Sequence, residues 1–133
     1  MNHLDHIGIA VKDLAISIPL FEKLLNRQCY KTEQVDSEKV LTAFFKTGES
    51  KIELLQSTVE DGVIARYIDK KGEGIHHLAF EVSDIQSEME RLVNEGFILI
   101  NDVPKMGADN KLVCFLHPKG TGNILIELCM EIV

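Results

Sequence analysis

His6-Ile7-Gly8-Ile9-Ala10-Val11 and, further along the chain, His77-Leu78-Ala79-Phe80-Glu81-Val82 are two stretches that run in step. In the first, Ile7, Ile9 and Val11 alternate with His6, Gly8 and Ala10. That is the period of a strand with one face on a core and the other on a shallow floor. An aspartate follows each stretch, Asp13 and Asp84, where a helix N-cap belongs. Leu14, Ile18, Phe21, Leu24 and Leu25 then recur at helical spacing up to Asn26. Proline is tolerated only in an early helical turn, so Pro19 predicts a late start, near Ser17. Tyr30 to Val35, Val40 to Thr47 and Lys51 to Gln56 read as three strands, the last two joined by a turn around Gly48.

The plan then repeats. A strand from Ile75 to Val82 leads to a helix from Ile85 to Glu95, ended by Gly96, and to strands from Phe97 to Asn101, Lys111 to Leu116 and Asn123 to Met130. Laying His6 on His77 brings Val11 onto Val82, Asp13 onto Asp84 and Phe44 onto Phe115. With three extra residues in the second hairpin it also brings Ile52-Glu53-Leu54 onto Ile126-Glu127-Leu128. Short matches arise by chance, but here the elements also recur in order. The expected fold is α+β: one domain of two tandem βαβββ modules, about 1–60 and 75–133, forming curved sheets around a cleft. An amphipathic linker helix, Val63 to Lys71, lies within 61–74, with Gly72 and Gly74 as the hinge.

The 133 residues, 45% hydrophobic and 26% charged, have the make-up of a globular domain able to bury its own core. A formal net charge of -7, with no basic block or stripe, argues against a nucleic-acid partner. No signal-peptide grammar and no apolar run long enough to span a bilayer are present, so a cytoplasmic protein without a membrane partner is expected. Cys29, Cys114 and Cys129 are odd in number and lack CxxC spacing, which reads as buried thiols in a reducing compartment.

His6, Glu53, His77 and Glu127 are the residues that carry chemistry. Each lies next to a core-facing apolar position in its strand, so all four belong on the cleft face. Any one of them alone reads more simply as a surface or hydrogen-bonded residue; in matched registers they form a set. Two imidazoles and two carboxylates suit Zn, Co, Mn, Ni or Fe(II), with positions left open for water or substrate oxygens. Parity sends His76 to the other face, and His3 and His117 lack a matching partner. The run His117-Pro118-Lys119-Gly120-Thr121-Gly122 reads either as a plain turn or as backbone amides and a lysine offered to a phosphate.

At these residues the sequence resembles the vicinal oxygen chelate (glyoxalase/bleomycin resistance) superfamily, and within it the methylmalonyl-CoA epimerases. The resemblance rests on His6 to Leu14, Lys51-Ile52-Glu53-Leu54-Leu55, Gly72 to Val82 with its double His, Gly107-Ala108, Phe115-Leu116-His117-Pro118-Lys119 and Leu125-Ile126-Glu127-Leu128. It implies a divalent metal ion, Co, Zn, Mn or Ni, on His6, His77 and Glu127, with Glu53 at the fourth position. It implies an acyl-CoA substrate whose α-carbon is inverted by removing and returning a proton, the metal stabilising the enolate. Glu127 would then be ligand and acid/base together. The second acid/base is expected just ahead of the Val40 strand; the matching position is Ser37, so Glu38 is favoured, then Asp36.

A glyoxalase I-like lactoylglutathione lyase could use the same four ligands on a glutathione hemithioacetal, and an Fe(II) extradiol dioxygenase would fit two His and a carboxylate. A metal-free small-molecule binding or resistance protein on the same fold would carry apolar residues where these ligands stand. Open sheet edges suggest a homodimer, and Lys111 and Lys119 are candidates for CoA phosphates.

Overall fold

A computed structural model describes residues 1–132. Its elements are β1 (His3–Ala10), α1 (Leu14–Leu25), β2 (Lys31–Val35), β3 (Val40–Thr47), β4 (Ser50–Ser57), α2 (Val63–Lys71), β5 (Gly74–Glu81), α3 (Ile85–Asn94), β6 (Lys105–Met106), β7 (Lys111–Leu116) and β8 (Ile126–Glu131). They form two compact units, residues 6–76 and residues 1–5 with 77–133.

In the unit of residues 6–76 the strands lie in the order β2-β3-β4-β1. β3 runs antiparallel to both neighbours, and β1 lies parallel to β4, with Gly8 beside Glu53 and Ala10 beside Leu55. One face of this sheet, Ile9, Val11, Leu41, Ala43, Phe45, Ile52 and Leu54, packs against Leu14, Ile18, Phe21 and Leu25 of α1. Contrary to the late start that Pro19 predicts, α1 begins at Leu14 and holds the proline inside it. Its first turn is tied down twice: Asp13 Oδ1 accepts from Ala15 N–H at 2.9 Å, and Gln56 Oε1 accepts from Leu14 N–H at 2.7 Å. Those caps and the buried apolar stripe outweigh the one backbone hydrogen bond that Pro19 removes.

The unit of residues 1–5 and 77–133 has the order β5-β8-β7-β6, with β5 parallel to β8 and β7 antiparallel to both neighbours. Leu112, Cys114, Leu116, Ile126, Leu128 and Met130 pack with Val82 on Ile85, Met89 and Leu92 of α3. Asp84 caps α3, accepting from Ser87 N–H at 3.1 Å. Two expected strand boundaries do not hold. Phe97 to Asn101 forms only a single bridge, Leu99 to Leu116, and the edge strand is the two-residue β6. Phe97 and Leu99 do turn into the core while Ile98 and Ile100 stay half exposed, so the alternation reported burial rather than pairing. β8 starts at Ile126 rather than Asn123, because Gly122 and Asn123 both take positive φ and turn the chain there.

Candidate active site

Since α1 covers one face of its sheet, the opposite face must carry the alternate residues: His6, Gly8 and Ala10 of β1, Lys51, Glu53 and Leu55 of β4, and Val40, Thr42 and Phe44 of β3. There His6 Nδ1 lies 3.2 Å from Glu53 Oε2, both side chains buried. Phe44 is the register partner of Glu53, and Lys31 Nζ stands 4.6 Å over its ring. Thr42 is two residues along β3 and is 1% exposed.

The other unit builds the same arrangement on its face away from α3. His77 Nε2 lies 3.3 Å from Glu127 Oε1, again with both side chains buried. Phe115 pairs in register with Glu127, meets the His77 ring edge to face at 5.8 Å, and has Lys105 Nζ 5.9 Å over its own ring. Ala79, Val113 and Cys129 make the small apolar floor beside Phe115. Each unit thus holds an imidazole against a carboxylate, with an aromatic ring behind the carboxylate and an ammonium over the ring.

A buried carboxylate is tolerated only where a partner compensates its lost hydration, and a strand interior offers none from its backbone. In this chain that partner is an imidazole in both units. Nitrogen and oxygen donors of this kind fit a divalent ion of the zinc, cobalt, manganese or nickel type, and neither pair includes a thiolate. The donor set is therefore consistent with the expected metal.

The remaining expected residues fall in different places. His76 stacks edge-on against Tyr67 at 4.9 Å, His3 Nδ1 lies 3.1 Å from Glu81 Oε2, and His117 Nδ1 accepts from Lys119 N–H at 3.1 Å. Asp36, Ser37 and Glu38 form a 3-10 turn between β2 and β3. Asp36 is exposed and accepts from Gln34 Nε2 at 2.9 Å, whereas Glu38 is half-buried with its Oε1 fully covered. Lys111 is not a surface cation: it is buried, with Nζ 2.6 Å from Asp5 Oδ1. Lys119 is exposed, on a 3-10 turn at Pro118–Gly120.

Four residues of these faces escaped the sequence reading. Asp5 precedes the alternating stretch that begins at His6, so strand parity says nothing of it. Thr42 looked like an ordinary strand threonine. Lys31 and Lys105 stand at positions that the His6-on-His77 alignment does not bring together, although both lie on the strand next to the phenylalanine's own.

The family model described as the Glyoxalase/Bleomycin resistance protein/Dioxygenase superfamily matches residues 5–115, and the chain belongs to that superfamily. Within it the likeness is to methylmalonyl-CoA epimerases. The ethylmalonyl-CoA/methylmalonyl-CoA epimerase of Cereibacter sphaeroides is 35% identical over 130 residues, spanning 96% of this chain and 97% of its own. The crystal structure of methylmalonyl-CoA epimerase from Mycobacterium tuberculosis superposes with a TM-score of 0.93 at 34% identity, covering 98% of this chain and 88% of that one. The uncharacterized protein YqjC of Bacillus subtilis is 36% identical over 129 residues, 97% of this chain and 92% of its own. With the mixed α+β fold, these likenesses make the chain an enzyme, an isomerase of the epimerase type.

Proposed function

We propose that this enzyme interconverts the (R) and (S) forms of methylmalonyl-CoA, using one divalent metal ion held by His6, Glu53, His77 and Glu127. The observation that carries the reading is the pair of buried His–Glu contacts, 3.2 Å and 3.3 Å, at matching positions of the two units. When bound, such an ion supplies Lewis acidity that favours loss of the proton next to a thioester carbonyl. The chain's own residues do the rest. The Glu38 carboxylate removes the α-proton on one face, breaking C–H and forming O–H, and Glu127 in its acid form returns a proton to the opposite face. The roles reverse for the other epimer. Glu38 is preferred to Asp36 because its Oε1 is covered while Asp36 is exposed and engaged by Gln34. Phe44 and Phe115, the register partners of Glu53 and Glu127, place an aromatic side chain beside each carboxylate.

A homodimer completes the reading, and sedimentation velocity tests it. The reaction itself is tested by α-proton exchange of methylmalonyl-CoA in D2O, followed by NMR with metal-stripped and Co-reconstituted protein and with Glu127→Gln and Glu38→Gln. Metal-dependent exchange, lost in Glu127→Gln, is the expected result. A folded, metal-loaded protein that exchanges no proton sinks the reading; turnover of a glutathione hemithioacetal would then identify a lactoylglutathione lyase.

A further inference from the structure

Thr42 is 1% exposed, and its Oγ1 has no hydrogen-bond partner among the described residues. A buried hydroxyl left in that state is costly, and native proteins hold few of them, so each calls for an explanation. Its place in the sheet says what. Thr42 pairs in register with Leu55, Phe44 pairs with Glu53, and Leu41, Ala43 and Phe45 take the α1 side. The Thr42 side chain therefore shares a face with His6 and Glu53 and is a diagonal cross-strand neighbour of Glu53, roughly 7–8 Å away or somewhat less between Cβ atoms.

The duplicated fold supplies an internal control. Counting back two residues from the matched phenylalanines, Phe44 and Phe115, puts Thr42 against Val113, which is buried in the small apolar floor of its own unit. Valine has the shape of threonine without the hydroxyl. The packing role at this position is therefore met by a methyl in one unit, and the hydroxyl in the other is not needed for packing.

We propose that Thr42 is a substrate-binding residue whose Oγ1–H donates a hydrogen bond to an oxygen of the acyl group as it sits beside Glu53. This rests on the epimerase reading above, and it adds a residue that selects acyl groups carrying an oxygen at that point. The donor must be the hydroxyl proton, because the expected partners, a carboxylate or thioester oxygen, only accept.

The test compares Thr42→Val and Thr42→Ser with the parent in Co-loaded protein. It measures α-proton exchange kinetics, calorimetric binding of racemic methylmalonyl-CoA, and thermal melting. Thr42→Val should melt no lower than the parent, since it removes a buried unsatisfied group, yet lose roughly 10- to 100-fold in kcat/KM, the span of one hydrogen bond to a charged oxygen. Thr42→Ser should recover most of that loss and should melt no higher than the parent, because a methyl is missing. If the parent is active and Thr42→Val matches it in exchange and binding, the assignment is overturned while the epimerase reading stands. If Thr42→Val loses activity only in proportion to a lower melting temperature, and Thr42→Ser does the same, the role is structural and the assignment is again overturned. A parent that neither exchanges nor binds removes both.

Discussion

Lys111 Nζ lies 2.6 Å from Asp5 Oδ1, and both side chains are almost wholly withdrawn from solvent. Removing one partner takes away the other's counter-charge while it stays buried, which is costly. Lys111→Met should therefore cost about 3–5 kcal/mol in urea unfolding, and Asp5→Leu a similar amount. The double variant should recover most of the loss, because replacing both charges by apolar side chains removes the desolvation problem as well as the attraction. Additive single losses in the double variant would mean that the two groups do not compensate each other.

Gly107 packs where a side chain cannot. A Cβ built on it would stand 2.8 Å from Val113 Cγ1 and 3.1 Å from Cγ2. Gly107→Ala should destabilise by about 1–3 kcal/mol through overpacking. Adding Val113→Ala should return part of that loss, which equilibrium denaturation of the double variant would check.

The acid sensitivity of α3 follows from its first turn. The Asp84 carboxyl is held below its ordinary 3.8, chiefly by the Ser87 backbone N–H. Glu88 is held below its ordinary 4.5 chiefly by hydrogen bonding to Arg91, and further by the chain's terminal ammonium. Both groups have a folded pKa depressed relative to the unfolded one. Their contribution is thus complete above the ordinary values and is lost as pH falls through the folded ones. Between about pH 6 and about pH 3 the parent should lose more melting temperature than Asp84→Asn or Glu88→Gln, while at about pH 6 the variants melt lower. Equal slopes in parent and variants would show that these carboxylates contribute nothing to the acid limb.

Burial raises the Cys114 thiol above its ordinary value, and Cys129 is equally hidden, whereas Cys29 is only half-buried. A thiol reacts as its thiolate, so a disulfide reagent at neutral pH should titrate Cys29 quickly and the other two only after unfolding. Fast modification of all three in the native protein would contradict this packing.

Much of this fold was legible because its duplication is written in apolar periods. The bounds of β3, β7 and α2 are those that alternation and helical spacing predict, whereas the pairing of His6 with Glu53 and of His77 with Glu127 is visible only in the structure. Asp5 lies ahead of the alternating stretch that starts at His6, in a part of β1 the pattern does not reach, and meets Lys111 there. A periodic pattern describes a regular strand, and it has no term for a charge recruited by a neighbour distant in sequence. α1 starts at Leu14 in spite of Pro19 because Gln56, a cap supplied from β4, is remote in sequence from the helix it secures. Residues 97–101 satisfied a strand's burial pattern with almost none of its hydrogen bonds. The unpartnered hydroxyl of Thr42 could not be read at all, since satisfaction of a polar group is a property of its surroundings rather than of its type.

Residues 1–5 belong with residues 77–133: the Met1 ammonium is 3.1 Å from Glu88 Oε2, Asn2 Nδ2 donates to Ser83 Oγ at 3.0 Å, and Asp5 reaches Lys111. During synthesis residues 1–5 must therefore wait for residues 77–133, while the intervening stretch already has its own sheet partners in hand. Such a chain is not cleanly cut at its linker helix: a fragment beginning after α2 would lack Asp5, the counter-charge of its buried Lys111. The order of synthesis and the order of assembly run in opposite senses at the very residue that precedes His6.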